Sequence, residues 1–167
     1  MVYKQLFVSI GTRFAMERLL DAIDEISSRN AHYRVTAQIG DSNFQSRNMV
    51  TSKWLSARDF EKSAAACDVF ISHAGMGNIL LAAKLKKQIV IMPRQFDLNE
   101  HTNNHQVSTA LAMAHKPYVR VANDVTQLDH AIIEALASTS NINDLNHTEL
   151  ESRSELIHTL KNFIDNG

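Results

Sequence analysis

The run Ile71-Ser72-His73-Ala74-Gly75-Met76-Gly77-Asn78 joins an apolar strand pattern to an apolar helical pattern through two glycines. Further along, His101-Thr102-Asn103-Asn104-His105-Gln106 gathers amides and imidazoles. A strand, a glycine turn and a helix start bring unpaired N–H groups and the positive end of the helix dipole to one point. That is a natural seat for a phosphate or diphosphate. Carboxamides and imidazoles donate and accept hydrogen bonds at neutral pH. A diphosphate seat beside neutral hydrogen-bonding groups suits a nucleotide-sugar.

Each of these residues also has a plainer reading. A histidine between a strand and a turn, such as His73, is commonly a structural hydrogen bonder. Gly75 and Gly77 taken alone mark only a turn. A dinucleotide fingerprint needs G-x-G-x-x-G after the first strand, and only Gly11 stands there, which disfavours a nicotinamide enzyme. His101 and His105 stand four apart, a helical spacing that suits zinc. No third ligand has a compelling spacing, although Glu100 is near, so hydrogen bonding to a sugar is the preferred reading and no metal is expected. Trp54 is either core or the wall of a base pocket at a strand end. Arg94 is either a solvated loop cation or a phosphate partner, with the second favoured because it follows the strand-ending Pro93. Cys67 is the sole cysteine and reads as a small core residue, with no disulfide framework.

The elements that must position these residues alternate along the chain. Leu6 to Ile10 is a strand candidate ending at Gly11-Thr12. Met16, Leu19, Leu20, Ile23 and Ile26 then repeat at helical spacing. Arg34 to Ile39 alternates as a strand and stops at Gly40-Asp41, and Met49 to Leu55 is a weaker strand. Ser56 with Asp59 forms a capping box for a helix through Cys67. Asp68 to Ser72 is a strand and Met76 to Lys86 a helix. Ile89 to Met92 is the clearest buried strand. Asn103 to Ala114 reads as a helix and Tyr118 to Val121 as a short strand, and Asp124 caps a helix to about Ala137. Such alternation predicts an α/β fold, a Rossmann-like doubly wound parallel sheet. Ligands of such sheets bind beyond the carboxyl ends of the strands, where nearly every unusual residue falls.

The 167 residues suffice for one domain with a sizeable core. Hydrophobic residues at 44% and charged residues at 21% exclude disorder. A net charge of −1 gives no electrostatic reason to expect nucleic-acid binding. There is no Gly-x-Ser-x-Gly elbow and no cysteine nucleophile in a motif, which disfavours a self-sufficient small hydrolase or transferase. No apolar run approaches the roughly 20 residues of a membrane span, and no signal peptide opens the chain, so a cytoplasmic protein is expected. Residues 1–140 are expected to form the ligand-binding domain. Residues 141–167 are read as a polar loop and an amphipathic helix striped by Leu156, Ile157, Leu160, Phe163 and Ile164. That stripe packs either on its own sheet or on a partner.

Ile-Ser-His-Ala-Gly-x-Gly, the strand ending Pro93-Arg94, and Glu-His-x-x-Asn-His-Gln ending at Gln106 together resemble the C-terminal half of a family 28 glycosyltransferase. The pattern is most similar to the small donor-binding subunit of two-component bacterial exopolysaccharide glycosyltransferases. It is similar in turn to the soluble subunit of the eukaryotic enzyme that adds the second N-acetylglucosamine to a dolichol-linked sugar. The resemblance runs from about Phe7 to Ala137 and is most specific from Asp68 to Gln106.

The resemblance implies half of a GT-B-type, inverting hexosyltransferase, with no cofactor. It implies a UDP-sugar donor and a lipid-linked saccharide acceptor. It also implies a membrane-anchored acceptor-side partner subunit that holds the general base, so that no catalytic residue is assigned here. Localisation would be cytoplasmic and peripheral to the inner membrane, with homo-oligomers possible for the isolated chain. Carried over by position, Gly11 and Thr12 lie near the diphosphate, Trp54 and Leu55 form the loop whose backbone reads uracil, and Gly75, Met76 and Gly77 form the diphosphate loop. Asn104, His105 and Gln106 contact the donor sugar and phosphates, and His73, Asn78 and Arg94 line the site. Two departures stand out. The glutamate that holds the ribose in family members is Leu81 here, with Asn78, Asp97 and Glu100 as candidate substitutes. The Gly-Lys-Pro turn before the central strand is Lys86-Lys87-Gln88, where a left-handed lysine would cost something like 1 kcal/mol.

Overall fold

The computed structural model describes residues 2–139. The stripe at Leu156 to Ile164 lies outside the described residues. Six parallel strands are β1 (Lys4–Ser9), β2 (Tyr33–Gln38), β3 (Val50–Ser52), β4 (Val69–His73), β5 (Gln88–Met92) and β6 (Val119–Val121). They lie in the order β3-β2-β1-β4-β5-β6. The helices are α1 (Glu17–Arg29), α2 (Ala57–Ala66), α3 (Met76–Lys84), α4 (His105–Met113) and α5 (Leu128–Ser138). The strand order reverses between β1 and β4, and the crevice above such a reversal is where doubly wound sheets take their ligands.

Strand alternation divides the core. Leu6, Val8, Val69, Ile71, Val90 and Met92 face Leu19, Leu20 and Ile23 of α1 and Leu128 and Ile132 of α5. Phe7, Phe70, Ile89 and Ile91 face the other way, onto Ala64 of α2, Ile79 and Ala82 of α3, and Ala110 and Met113 of α4. Helices cover both faces, so β5 is apolar at four consecutive positions and wholly buried. Phe7 stacks on Phe70 at 5.3 Å and meets the edge of Phe60 at 5.1 Å. Cys67 is buried at the end of α2, and burial pushes its thiol up to about 11, so it is an inert core residue.

Local signals act as read, with small shifts. Ser56 accepts from Asp59 N at 3.1 Å and opens α2. Asp124 caps a 3-10 turn, Val125–Gln127, before α5 begins. Lys86 does adopt the left-handed conformation, at φ 53°. Lys86 N bonds Ala83 O and Lys87 N bonds Ala82 O, a complete Schellman closure of α3 that glycine would serve without strain. Lys86→Gly is expected to stabilise the chain by about 1 kcal/mol, raising Tm by about 2–4 °C. A thermal melt checks this; an unchanged or lower Tm would show that the lysine is not strained.

Candidate functional site

The carboxyl ends of β1 and β4 carry Gly11 and His73, and these meet. The His73 imidazole lies between two glycines. A Cβ at Gly11 would stand 3.0 Å from His73 Nε2, and one at Gly75 only 2.1 Å from Cε1. Gly11 also needs its glycine for conformation, at φ +79°. Both glycines therefore make room for one ring. Their neighbour Gly40, at φ +53°, would place a Cβ 2.6 Å from Gly11 O, so the loops after β1 and β2 touch backbone to backbone.

His73 is held neutral. Burial and then the Arg94 guanidinium depress its pKa to about 4. Unfolding takes up a proton between pH 6.5 and about 4, so stability contributed by this ring is present above that window and falls as pH drops through it. Gln106 Nε2 donates to His73 Nδ1 at 3.1 Å. The other end of the same carboxamide, Oε1, accepts from Arg94 N at 3.2 Å.

The helix after this ring begins bare. Gly75 is the N-cap of α3 and supplies no side-chain cap. Asn78 N and Ile79 N return to Gly75 O. Among the described residues, Met76 N and Gly77 N have no acceptor. A serine or aspartate cap would occupy such donors and stabilise the helix by about 1 kcal/mol. A Cβ at Gly77 would meet nothing within 4 Å, so packing within the chain makes no demand for glycine there. Gly75 N differs: it donates to His73 O at 2.8 Å. Of the three amides in this loop, Gly75 N is thus engaged within the chain, and Met76 N and Gly77 N are not.

Arg94 is not a solvated cation. It is 2% exposed, and its terminal nitrogens donate to Ile10 O, to Phe14 O at 2.6 Å and to Glu100 O at 2.8 Å, with a longer contact to Ala15 O. It clamps the β1–α1 loop to the β5–α4 loop in place of offering an open fork to phosphate. Arg18 reinforces the clamp. Its Nε and Nη2 grip Glu100 at 2.6 and 2.8 Å, and Nη2 also donates to Pro93 O. Glu100 additionally accepts from Gln95 N and is 6% exposed, so it is not a free ribose acceptor. Asn78 is likewise engaged, donating to Ser72 Oγ at 2.7 Å while Ser72 donates to Ser9 O. Leu81 packs into the apolar cluster behind β4. Of the three candidate ribose partners only Asp97 stands exposed without a described bond.

The remaining expected residues spread along the rim. Thr12 is exposed beside Gly11. Trp54 is 56% exposed, which rules out the core reading. Leu55 packs on the α2-side core and its N–H donates to Gln38 Oε1 at 3.0 Å, so that amide cannot read a base. Asn104 braces its own loop by accepting from Phe96 N. His105 is exposed, and its backbone N donates to Asn103 Oδ1. Its ring meets His101 edge-on at 4.5 Å. Among the described residues no three His, Cys, Asp or Glu side chains gather to hold a metal. The structure thus unites Gly11, His73, Gly75, Arg94 and Gln106, with Met76 and Gly77 adjoining. Trp54 stands three strand positions from β4, roughly 14 Å away at normal strand spacing. Sequence reasoning missed Arg18 and Gln38; Gln38 shows as a polar residue between Ala37 and Ile39, whereas Arg18 follows Glu17 in an ordinary helical pattern.

A parallel sheet whose strand order reverses beside a glycine loop and an uncapped helix defines a Rossmann-like domain, the fold also found in C-terminal domains of GT-B glycosyltransferases. Residues 6–160 match the glycosyltransferase family 28 C-terminal domain, and the chain belongs to that family. No curated protein matches it in sequence. Among solved structures it is similar to the glycotransferase of kitacinnamycin, at 19% identity and TM-score 0.66, covering 86% of this chain and 38% of that one. It is similar to ALG13, at 18% identity and TM-score 0.56, covering 84% and 87%. It is also similar to the C-terminal CMP-Kdo binding domain of WaaA from Acinetobacter baumannii, at 12% identity and TM-score 0.53, covering 86% and 85%. The chain thus spans well under half the length of the first of these. Among the described residues no helix is long and apolar enough to cross a membrane.

Proposed function

We propose that this chain is the UDP-sugar-binding subunit of a two-component inverting glycosyltransferase. It presents a hexose donor to a lipid-linked acceptor carried by a membrane-anchored partner subunit, peripheral to the inner membrane, in exopolysaccharide assembly. The observation that carries the reading is the pair of free amides, Met76 N and Gly77 N, at the uncapped start of α3 beside a neutral His73. Those amides and the helix dipole favour the charge that grows on UDP as it departs. The same fold is found in ALG13, which the chain matches over nearly the full length of both chains. The general base is assigned to the partner. A second reading, a scaffold of the same ancestry, draws on Leu81, whose apolar packing leaves no carboxylate at the ribose position.

Calorimetry with UDP separates them, and Gly77→Ala locates the ligand. The variant is expected to keep or slightly raise stability, because alanine suits a helix better than glycine by about 1 kcal/mol. It is expected to weaken UDP binding about tenfold by crowding the two amides. No binding by the wild-type chain at millimolar UDP would favour the scaffold. Equal affinity in the variant would remove the diphosphate from this loop. Sugar transfer to a lipid-linked acceptor should require the partner subunit; turnover by the lone chain overturns the two-component reading.

A further inference from the structure

We infer that Gln106 is a positioning residue that fixes the His73 proton on Nε2, so that the ring presents a neutral N–H donor at the crevice between Gly11 and Gly75. The direction of the carboxamide is dictated. Arg94 N–H can only donate, so the atom facing it is Oε1. Nε2 of Gln106 then faces His73 Nδ1 and donates to it. A neutral imidazole that accepts at Nδ1 carries its proton at Nε2. Gln106 is 4% exposed, so water does not compete for this arrangement. The charged or titratable groups facing the ring are the Arg94 guanidinium and the His101 and His105 imidazoles, and each disfavours a second proton on it. The relay therefore runs from the backbone after β5, through α4, to the end of β4. Gln106 works through the imidazole and does not itself touch the donor sugar.

The use of that N–H for an anionic ligand rests on the proposed donor site; the proton's place on the ring does not. Gln106→Glu is the sharp variant. It keeps an acceptor for Arg94 N–H and nearly the same volume, but replaces the Gln106 donor to Nδ1 by an oxygen. Gln106→Met removes the donor without adding charge. Long-range 1H–15N correlation spectra of the ligand-free chain at pH 7.5 read the tautomer directly. The wild-type ring should be protonated at Nε2 alone. In Gln106→Glu the proton should appear on Nδ1, and in Gln106→Met the ring should populate both tautomers. UDP affinity should fall about tenfold in Gln106→Met, the loss of one hydrogen bond to a charged group. A wild-type ring protonated at Nδ1, or a Gln106→Glu ring unchanged from wild type, overturns the inference. Normal UDP affinity in Gln106→Met with a scrambled tautomer overturns the link to the ligand. If wild-type UDP binding is undetectable, the donor-site reading fails while the spectra still judge Gln106.

Discussion

Replacing Arg94 with methionine is expected to destabilise the fold by about 3–5 kcal/mol. Methionine follows the aliphatic stem but offers no donor. The carbonyls of Ile10, Phe14 and Glu100 would each lose an N–H, and a buried carbonyl left alone costs about 1–3 kcal/mol. Phe14 is only half-buried, so water reclaims part of the loss and the total falls below the plain sum. Arg94→Lys should recover less than half of it. One ammonium cannot span carbonyls of two loops as a planar guanidinium does. Urea denaturation with parallel slopes measures the difference. A loss under about 1 kcal/mol would mean that the two loops hold their places without the clamp.

The second large effect is expected at Gly75→Ala, where UDP affinity should drop about a hundredfold while stability falls by about 1–3 kcal/mol. The backbone tolerates alanine, at φ −82° and ψ 127°. The obstacle is the ring, because the new methyl would lie 2.1 Å from His73 Cε1. The imidazole must swing aside, which breaks its bond to Gln106 and disturbs the amides that follow. A second substitution isolates the cause. His73→Ala removes the ring, so adding Gly75→Ala to it should cost almost nothing further in stability. The coupling energy from the four proteins should therefore be about as large as the single loss. Additive losses would place the effect of Gly75 elsewhere.

Most of the architecture was legible because it rests on local patterns. The apolar run at Ile89 to Met92 announces a strand covered on both faces, and the stripe from Leu19 to Ile26 announces a helix on one. Gly11 and Gly40 mark left-handed turns, and Lys86 was readable as a lysine forced into one. The glycine loop before α3 was legible for the same reason, since strand, turn and helix start are contiguous. What escaped was long-range. Arg94 meets Ile10 across 84 residues and Arg18 meets Glu100 across 82, and no spacing rule connects such positions. An arginine after a strand-ending proline looks the same whether its fork points at phosphate or at carbonyls. The Gly75 amide escaped for a subtler reason. A glycine discloses freedom of conformation, but which carbonyl its N–H then finds depends on the whole turn. Trp54 was undecided because aromatic identity fits a core and a rim equally; its exposure decided it.

Gly40, beside the bonds that Gln38 makes to Ile10 N and Leu55 N, links the loop after β1 to the rim at Trp54. Its N–H is bonded to Lys53 O, one residue before Trp54, while a Cβ on it would stand 2.6 Å from the Gly11 carbonyl oxygen. A displacement of the first loop can thus reach the edge of the sheet, where an aromatic waits, through Gly40 as well as through the strand ladder. Two ends of an extended guest lying along that rim would not be sensed separately: a nudge at one would retune the grip at the other.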